Sequence, residues 1–103
     1  MATVTSKLID DLSIQDLRDK FENFYKNSKF VKLLPVGSMP ITSSVFGTNS
    51  AHLQIAIDEH SNRLIVSCAI DNLGKAAAGQ AIQNANIICG FPEDLGLDQI
   101  GIR

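Results

Sequence analysis

The sequence predicts an α+β domain, a mostly antiparallel sheet with helices on one face, and three stretches of it carry that reading. Leu53, Ile55 and Ile57 alternate with Gln54 and Ala56, the polar run Asp58-Glu59-His60-Ser61-Asn62 interrupts, and Leu64, Val66, Cys68 and Ile70 alternate again. Period-two alternation puts one set of side chains on each face of a strand, so this is a β-hairpin with a polar loop. Ile14, Leu17, Phe21 and Phe24 recur at intervals of three and four, which aligns them on one stripe of an amphipathic helix. Lys75 to Asn84, rich in Ala and Gln, has high helix propensity despite Gly79.

In chain order, Ala2 to Leu8 mixes small or β-branched residues with polar ones and is expected to form a strand. Ser13 with Asp16 three residues on has the form of a capping box. The Ser hydroxyl accepts from a free amide of the first turn, and the helix dipole favours the carboxylate. The aromatic pair Phe24 and Tyr25 is expected in the core, because aromatics at helical spacing pack inward. Phe30 to Leu34 is a short apolar strand closed by Pro35, and Val36 to Pro40 is a loop. Ile41 to Phe46, β-branched and followed by the turn residues Gly47-Thr48-Asn49-Ser50, is expected to be another strand. Asp71 and Asn72 are helix-capping residues. The helix after them should run to about Cys89, with Gly90 as its C-terminal cap and Pro92 preventing continuation. Glu93 to Arg103 is expected to be an irregular tail, and the order becomes β-α-β-β-β-β-α.

With 103 residues the chain suits one domain with a small core. A net charge of −2 gives no basic field of the kind that holds nucleic acid or an anionic membrane, so neither is expected as a partner. The strongest apolar run, Ile87 to Phe91, is far short of the roughly 20 residues a membrane span needs, and a cytoplasmic location follows as the expectation. Cys68 and Cys89 are too few for a disulfide framework or a zinc set, and each, set among apolar residues, is expected to be a buried free thiol. His60 and His52 lack a second ligand at metal spacing, so no metal site is expected and both read as ordinary histidines.

No dinucleotide-type glycine loop, nucleophile elbow or paired Cys and His stands in the chain, so no catalytic residue is assigned from its motifs. One segment admits two readings. Asp71 to Gln80 sets an amide side chain, a glycine and small residues at a helix start, which suits either an anion or carboxamide ligand, or a capped helix packed tightly on a neighbour.

Ala69-Ile70-Asp71-Asn72-Leu73-Gly74-Lys75-Ala76-Ala77-Ala78-Gly79-Gln80-Ala81-Ile82-Gln83-Asn84-Ala85-Asn86, followed by Gly90-Phe91 and Leu95-Gly96-Leu97, resembles the C-terminal signature of the N-acetyl-gamma-glutamyl-phosphate reductases. Phe24-Tyr25, Phe30-Val31, Pro35, Val45-Phe46-Gly47-Thr48-Asn49 and Ile57-Asp58-Glu59-His60 with Arg63-Leu64 agree in order and spacing. The resemblance runs from Ala2 to Leu97, and two departures stand in it: Ala76 where the family commonly has glycine, and Phe46 where it has a basic residue.

What the resemblance implies is a portion of the second, substrate and dimerisation domain, similar to part of the C-terminal domain of glyceraldehyde-3-phosphate-dehydrogenase-like reductases. Residues 1–103 would then be a single partial domain, with the dinucleotide-binding domain, the nucleophilic cysteine and its partner histidine upstream of the matched segment. Family members reduce N-acetylglutamyl phosphate to N-acetylglutamate semialdehyde in arginine biosynthesis, passing hydride from NADPH to a cysteine thioester. By that similarity Asn72 is the cofactor-binding residue, reaching the nicotinamide carboxamide of NADP, and neither Cys68 nor Cys89 matches the nucleophile. The implied partners are the upstream domains of the reductase or a second copy of this chain in a homo-oligomer. Alone, the chain is expected to be inactive, and the competing readings are a non-catalytic remnant that self-associates and a repurposed binding module.

Overall fold

The computed structural model describes residues 1–99. In chain order it holds strand β1 (Ala2–Lys7), helix α1 (Ile14–Tyr25), strand β2 (Val31–Leu33), a 3-10 turn (Thr42–Ser44), strands β3 (Ala51–Asp58) and β4 (Arg63–Ile70), a π-helical turn (Gly74–Ala78) and helix α2 (Gly79–Ile88). The α+β class stands. The four strands form one sheet in the order β1-β4-β3-β2.

The expected hairpin is the centre of that sheet, with Leu53 opposite Cys68 and Ile55 opposite Val66 in antiparallel register. Asn62 takes a left-handed conformation, φ 52°, that closes the polar loop. β1 adds antiparallel to the far side of β4, pairing Val4 with Val66. The mostly antiparallel sheet of the sequence reading needs correction, because β2 runs parallel to β3 and the sheet is mixed. A parallel neighbour requires the chain to cross back to the same end of the sheet, and residues 34–50 make that crossing without an α-helix.

The same crossing corrects the strand expected over Ile41 to Phe46. β-branched residues favour strands when they sit on a half-buried pleat. Here Pro40 is fully buried, and the chain turns through hydrogen bonds that the Val45 amide donates to the Thr42 carbonyl and the Thr48 amide to the Val45 carbonyl. Val45 is thereby driven, with no exposed surface, into the core from a turn.

α1 begins as its sequence requires. The Ser13 Oγ accepts from the Asp16 amide at 3.1 Å and the Asp16 carboxylate accepts from the Ser13 amide at 3.2 Å, a complete capping box. The helix lies against β2 and β3, where Leu17 joins Phe30, Ala51, Leu53 and Ile55 in the core. Its stripe is narrower than expected. Phe24 is 78% exposed and touches Tyr25 edge-on at 4.9 Å, so the core placement of that aromatic pair fails for Phe24 while Tyr25 is half-buried.

Because α1 covers β2 and β3, the same face of the sheet over β4 and β1 is left open among the described residues. Val66 and Cys68 are half-buried there, and Val4 beside them is 60% exposed. Cys89 is exposed at the end of α2, which corrects the buried thiol expected of it. Gly90, φ 73°, ends α2 as expected. The segment after it is irregular but pinned, since the buried Asn86 amide donates to the carbonyls of Glu93 and Leu95 and Leu97 is buried. Residues 100–103 of the expected tail lie outside the described residues.

Candidate functional site

The end of β4, the π-helical turn and the loop 47–50 enclose a cleft of about 340 Å³, lined by Gly47, Thr48, Asn49, Asp71, Leu73 and Gly79 among others. Two side chains build it. Asp71 accepts from the Gly47 amide at 2.9 Å and from the Leu73 amide at 3.0 Å, so it ties the loop to the chain just before the π-helical turn and closes an Asx turn there. Those backbone donors, Gly47 foremost and then Leu73, hold its carboxyl below the ordinary value of 3.8.

The second tie is Asn49, buried to 4% exposure. Its Nδ2 donates to Gln83 Oε1 at 2.9 Å, and Lys75 Nζ donates to the same oxygen at 2.6 Å. The chemistry fixes every orientation in this set. An ammonium can only donate, so Gln83 must turn its oxygen to Lys75, and Asn49 must then turn its nitrogen to Gln83. What remains is Asn49 Oδ1, buried and, among the described residues, without a hydrogen-bond partner, pressed on Gly79 where a Cβ would collide with it. Lys75 also stands 5.1 Å above the centroid of the buried Phe30 ring, and burial lowers its pKa from 10.5 while the Glu93 carboxylate opposes that shift.

Between the two ties the backbone leaves α-helical geometry. A π-helical turn over Gly74–Ala78 inserts extra length before α2, a feature that in helices is concentrated at functional positions. Asn72, the residue singled out in the sequence, is exposed in the turn between Asp71 and Leu73, which both line the cleft. Asn72 itself is not among the lining residues. His60 is exposed in the hairpin loop and His52 is half-buried on β3. Burial and then Lys32 lower the His52 pKa from 6.5. Among the described residues no group of three His, Cys, Asp or Glu side chains is placed to hold a metal ion, and no helix is long and apolar enough to cross a membrane.

Asn49, Lys75 and Gln83 were not legible as a set, since Asn49 lies 34 positions from Gln83. The one available signal was Gly79 inside a helical pattern, which marks a close approach of another group.

The acid-side behaviour of Asp71 is a direct test of the first tie. With its folded pKa depressed, its contribution is complete above the unfolded value near 3.9 and is lost as pH falls through the folded value. In urea unfolding, the stability gap between the wild type and Asp71→Asn should therefore be widest above about pH 5 and narrow steadily as pH falls below about 4. A gap independent of pH would mean that the carboxylate charge is not what the Gly47 and Leu73 amides bind.

Comparison with known proteins places this site in a wider context. The model for the semialdehyde dehydrogenase dimerisation domain matches residues 1–72. The chain is 44% identical to the N-acetyl-gamma-glutamyl-phosphate reductase of Moorella thermoacetica, over 99% of this chain and 30% of that protein. It is 43% identical to the one from Thermoanaerobacter pseudethanolicus over the same shares, and 46% identical to the one from Vesicomyosocius okutanii over 99% of this chain and 28% of the relative. The chain thus spans about 30% of the length of the curated relatives it matches.

Proposed function

The chain belongs to the semialdehyde dehydrogenase dimerisation-domain family, and we propose that it serves as the C-terminal part of the second domain of an NADP-dependent, cytoplasmic N-acetyl-gamma-glutamyl-phosphate reductase. The carrying observation is identity of 41 to 46% with reductases over 99% of the chain, which includes the cleft and both of its ties. In this reading the chain contributes no nucleophile. It presents one polar side chain to the cofactor and offers a sheet face for assembly, while the upstream domains hold the phosphates and the reacting cysteine.

The residues present suit one end of the cofactor only. Asn72 is exposed, and its side-chain amide can give and accept one hydrogen bond each with a carboxamide, which is the pairing that fixes a nicotinamide ring's orientation. The neighbouring Asp71 carboxylate would repel phosphate, but backbone amides already occupy it. NADPH, when bound, would supply the hydride. Asn72 would orient the ring that carries it, and Leu73 beside it, 77% exposed, would shield that ring from water.

A chimaera tests this reading. Residues 1–99 are exchanged for the corresponding segment of the Moorella thermoacetica reductase, and oxidation of NADPH with N-acetylglutamyl phosphate is followed. Activity near that of the parent is expected, and Asn72→Ala should reduce kcat/KM by about tenfold, the value of one lost hydrogen bond to the cofactor. A folded but inactive chimaera would overturn the reading.

The second reading, self-association without catalysis, is favoured by the open half of the sheet. Among the described residues, Val4, Val66 and Cys68 share one uncovered face, and β1 is an edge strand with unpaired backbone groups. The isolated chain should sediment as a dimer or larger species, and Val4→Lys should shift it toward monomer. A monomer at high concentration would argue against any use of this face.

A further inference from the structure

We infer that Asn49 is a positioning residue that sets the pose of Asn72 by locking the π-helical turn onto the loop 47–50; the inference rests on the reading of Asn72 given above. The segment that carries Asn72 is held at two points. Asp71 fastens its start to Gly47, and Asn49 fastens its end to Gln83 and Gly79. Asn72 stands just after the first point and the π-helical turn lies between them, so movement at the second point is transmitted through a short stretch of backbone to the exposed amide.

Asn49 is built for that role. The loop around it is rigidly closed, with Thr48 Oγ1 donating to the Val45 carbonyl at 2.7 Å and accepting from the Ser50 amide at 3.1 Å. Its amide nitrogen is committed to Gln83, and among the described residues its oxygen accepts no hydrogen bond. A buried polar atom left unpaired is unfavourable, and a leucine of similar size would avoid it. Core stability alone therefore does not account for an asparagine here. The amide instead supplies one fixed donor to Gln83 while its oxygen fills the space a Cβ at Gly79 would take, and together these define where the turn ends. Lys75 completes the arrangement from the turn itself, because its ammonium shares the Gln83 acceptor.

Two measurements test this. In the 103-residue chain, Asn49→Ala should speed hydrogen exchange at the amides of Leu73 to Gly79 by about tenfold while leaving those paired between β3 and β4 unchanged. Acceleration of all of these amides together, or of none, would overturn the positioning role. In the active chimaera, Asn49→Ala and Gln83→Leu should each lower kcat by about tenfold or more, with KM for N-acetylglutamyl phosphate unchanged, because misplacement costs rate more than substrate binding. Gln83→Glu, which keeps an acceptor for both Lys75 and Asn49, should restore kcat, and Asn84→Ala on the exposed side of α2 should have no effect. A rise in KM with kcat intact, or failure of Gln83→Glu to restore the rate, would overturn the inference. Inactivity of the unmutated chimaera would instead overturn the functional reading, with the exchange experiment still deciding the coupling.

Discussion

Gly79→Ala is expected to destabilise the chain by about 2 kcal/mol, against the usual sign for this exchange at the first turn of a helix. Helix propensity alone favours alanine by about 1 kcal/mol. Space decides otherwise. An added Cβ would collide with Asn49 Oδ1 and would sit 2.8 Å from the Gly74 carbonyl oxygen. Neither neighbour can give way easily: the Gly74 oxygen is backbone in the π-helical turn, and Asn49 is buried with its amide committed to Gln83. Overpacking of this sort costs about 1 to 3 kcal/mol before the lost hydrogen bond is added, so the steric term exceeds the propensity gain. For a domain of this size the midpoint of thermal unfolding should fall by about 10 °C. The reverse result, a rise in Tm, would mean that Asn49 does not lie against Gly79.

How far such features were legible depended on how local they are. The hairpin, the capping box at Ser13 and the Gly90 cap are each settled by residues within a few positions of one another, and all three stand as read. The parallel pairing of Val31 with Ala51 was not legible, since nothing in a three-residue strand reports which neighbour it will take or in which direction. Val45 shows the related difficulty. Its β-branched surroundings report a demand for burial, and a turn satisfied that demand as well as a strand would have. Phe24 and Cys89 are the opposite case. Their apolar settings suggested burial, but α1 lies against β2 and β3 with Phe24 turned away, and Cys89 follows the last turn of α2, so none of the described elements covers them. At the candidate site, the residue nominated from the sequence, Asn72, rests on likeness to the reductases. The residues that hold its segment in place needed the fold to bring loop 47–50 against the start of α2.

Arg18→Met is expected to cost about 2 to 4 kcal/mol, the larger part from polar groups left without partners. Arg18 is 6% exposed, and among the described residues it has no carboxylate beside it. Its Nη1 donates to Gln54 Oε1 at 2.8 Å and its Nη2 to the Leu34 carbonyl at 2.7 Å. Gln54 in turn donates to the carbonyls of Pro35 at 2.9 Å and Ser38 at 2.6 Å. One guanidinium thus organises the departure of the chain from β2, and through it the crossing that makes β2 parallel to β3. Burying an unpaired cation is itself unfavourable, and methionine would remove that cost while keeping most of the packing. The guanidinium is weakly hydrated, however, and its two short bonds are of the charge-assisted kind, each worth about 1.5 to 3 kcal/mol. Removing it strips the Leu34 carbonyl of a donor and Gln54 of the partner that orients it, so loss should exceed relief. Arg18→Lys should recover little, because a single ammonium cannot span both acceptors. Chemical unfolding of Arg18→Met, Gln54→Leu and the double variant measures the coupling, expected at about 1 to 2 kcal/mol. If Arg18→Met proved more stable than the wild type, desolvation would dominate, and the crossing would be held by the buried Pro40 and Val45 rather than by hydrogen bonds.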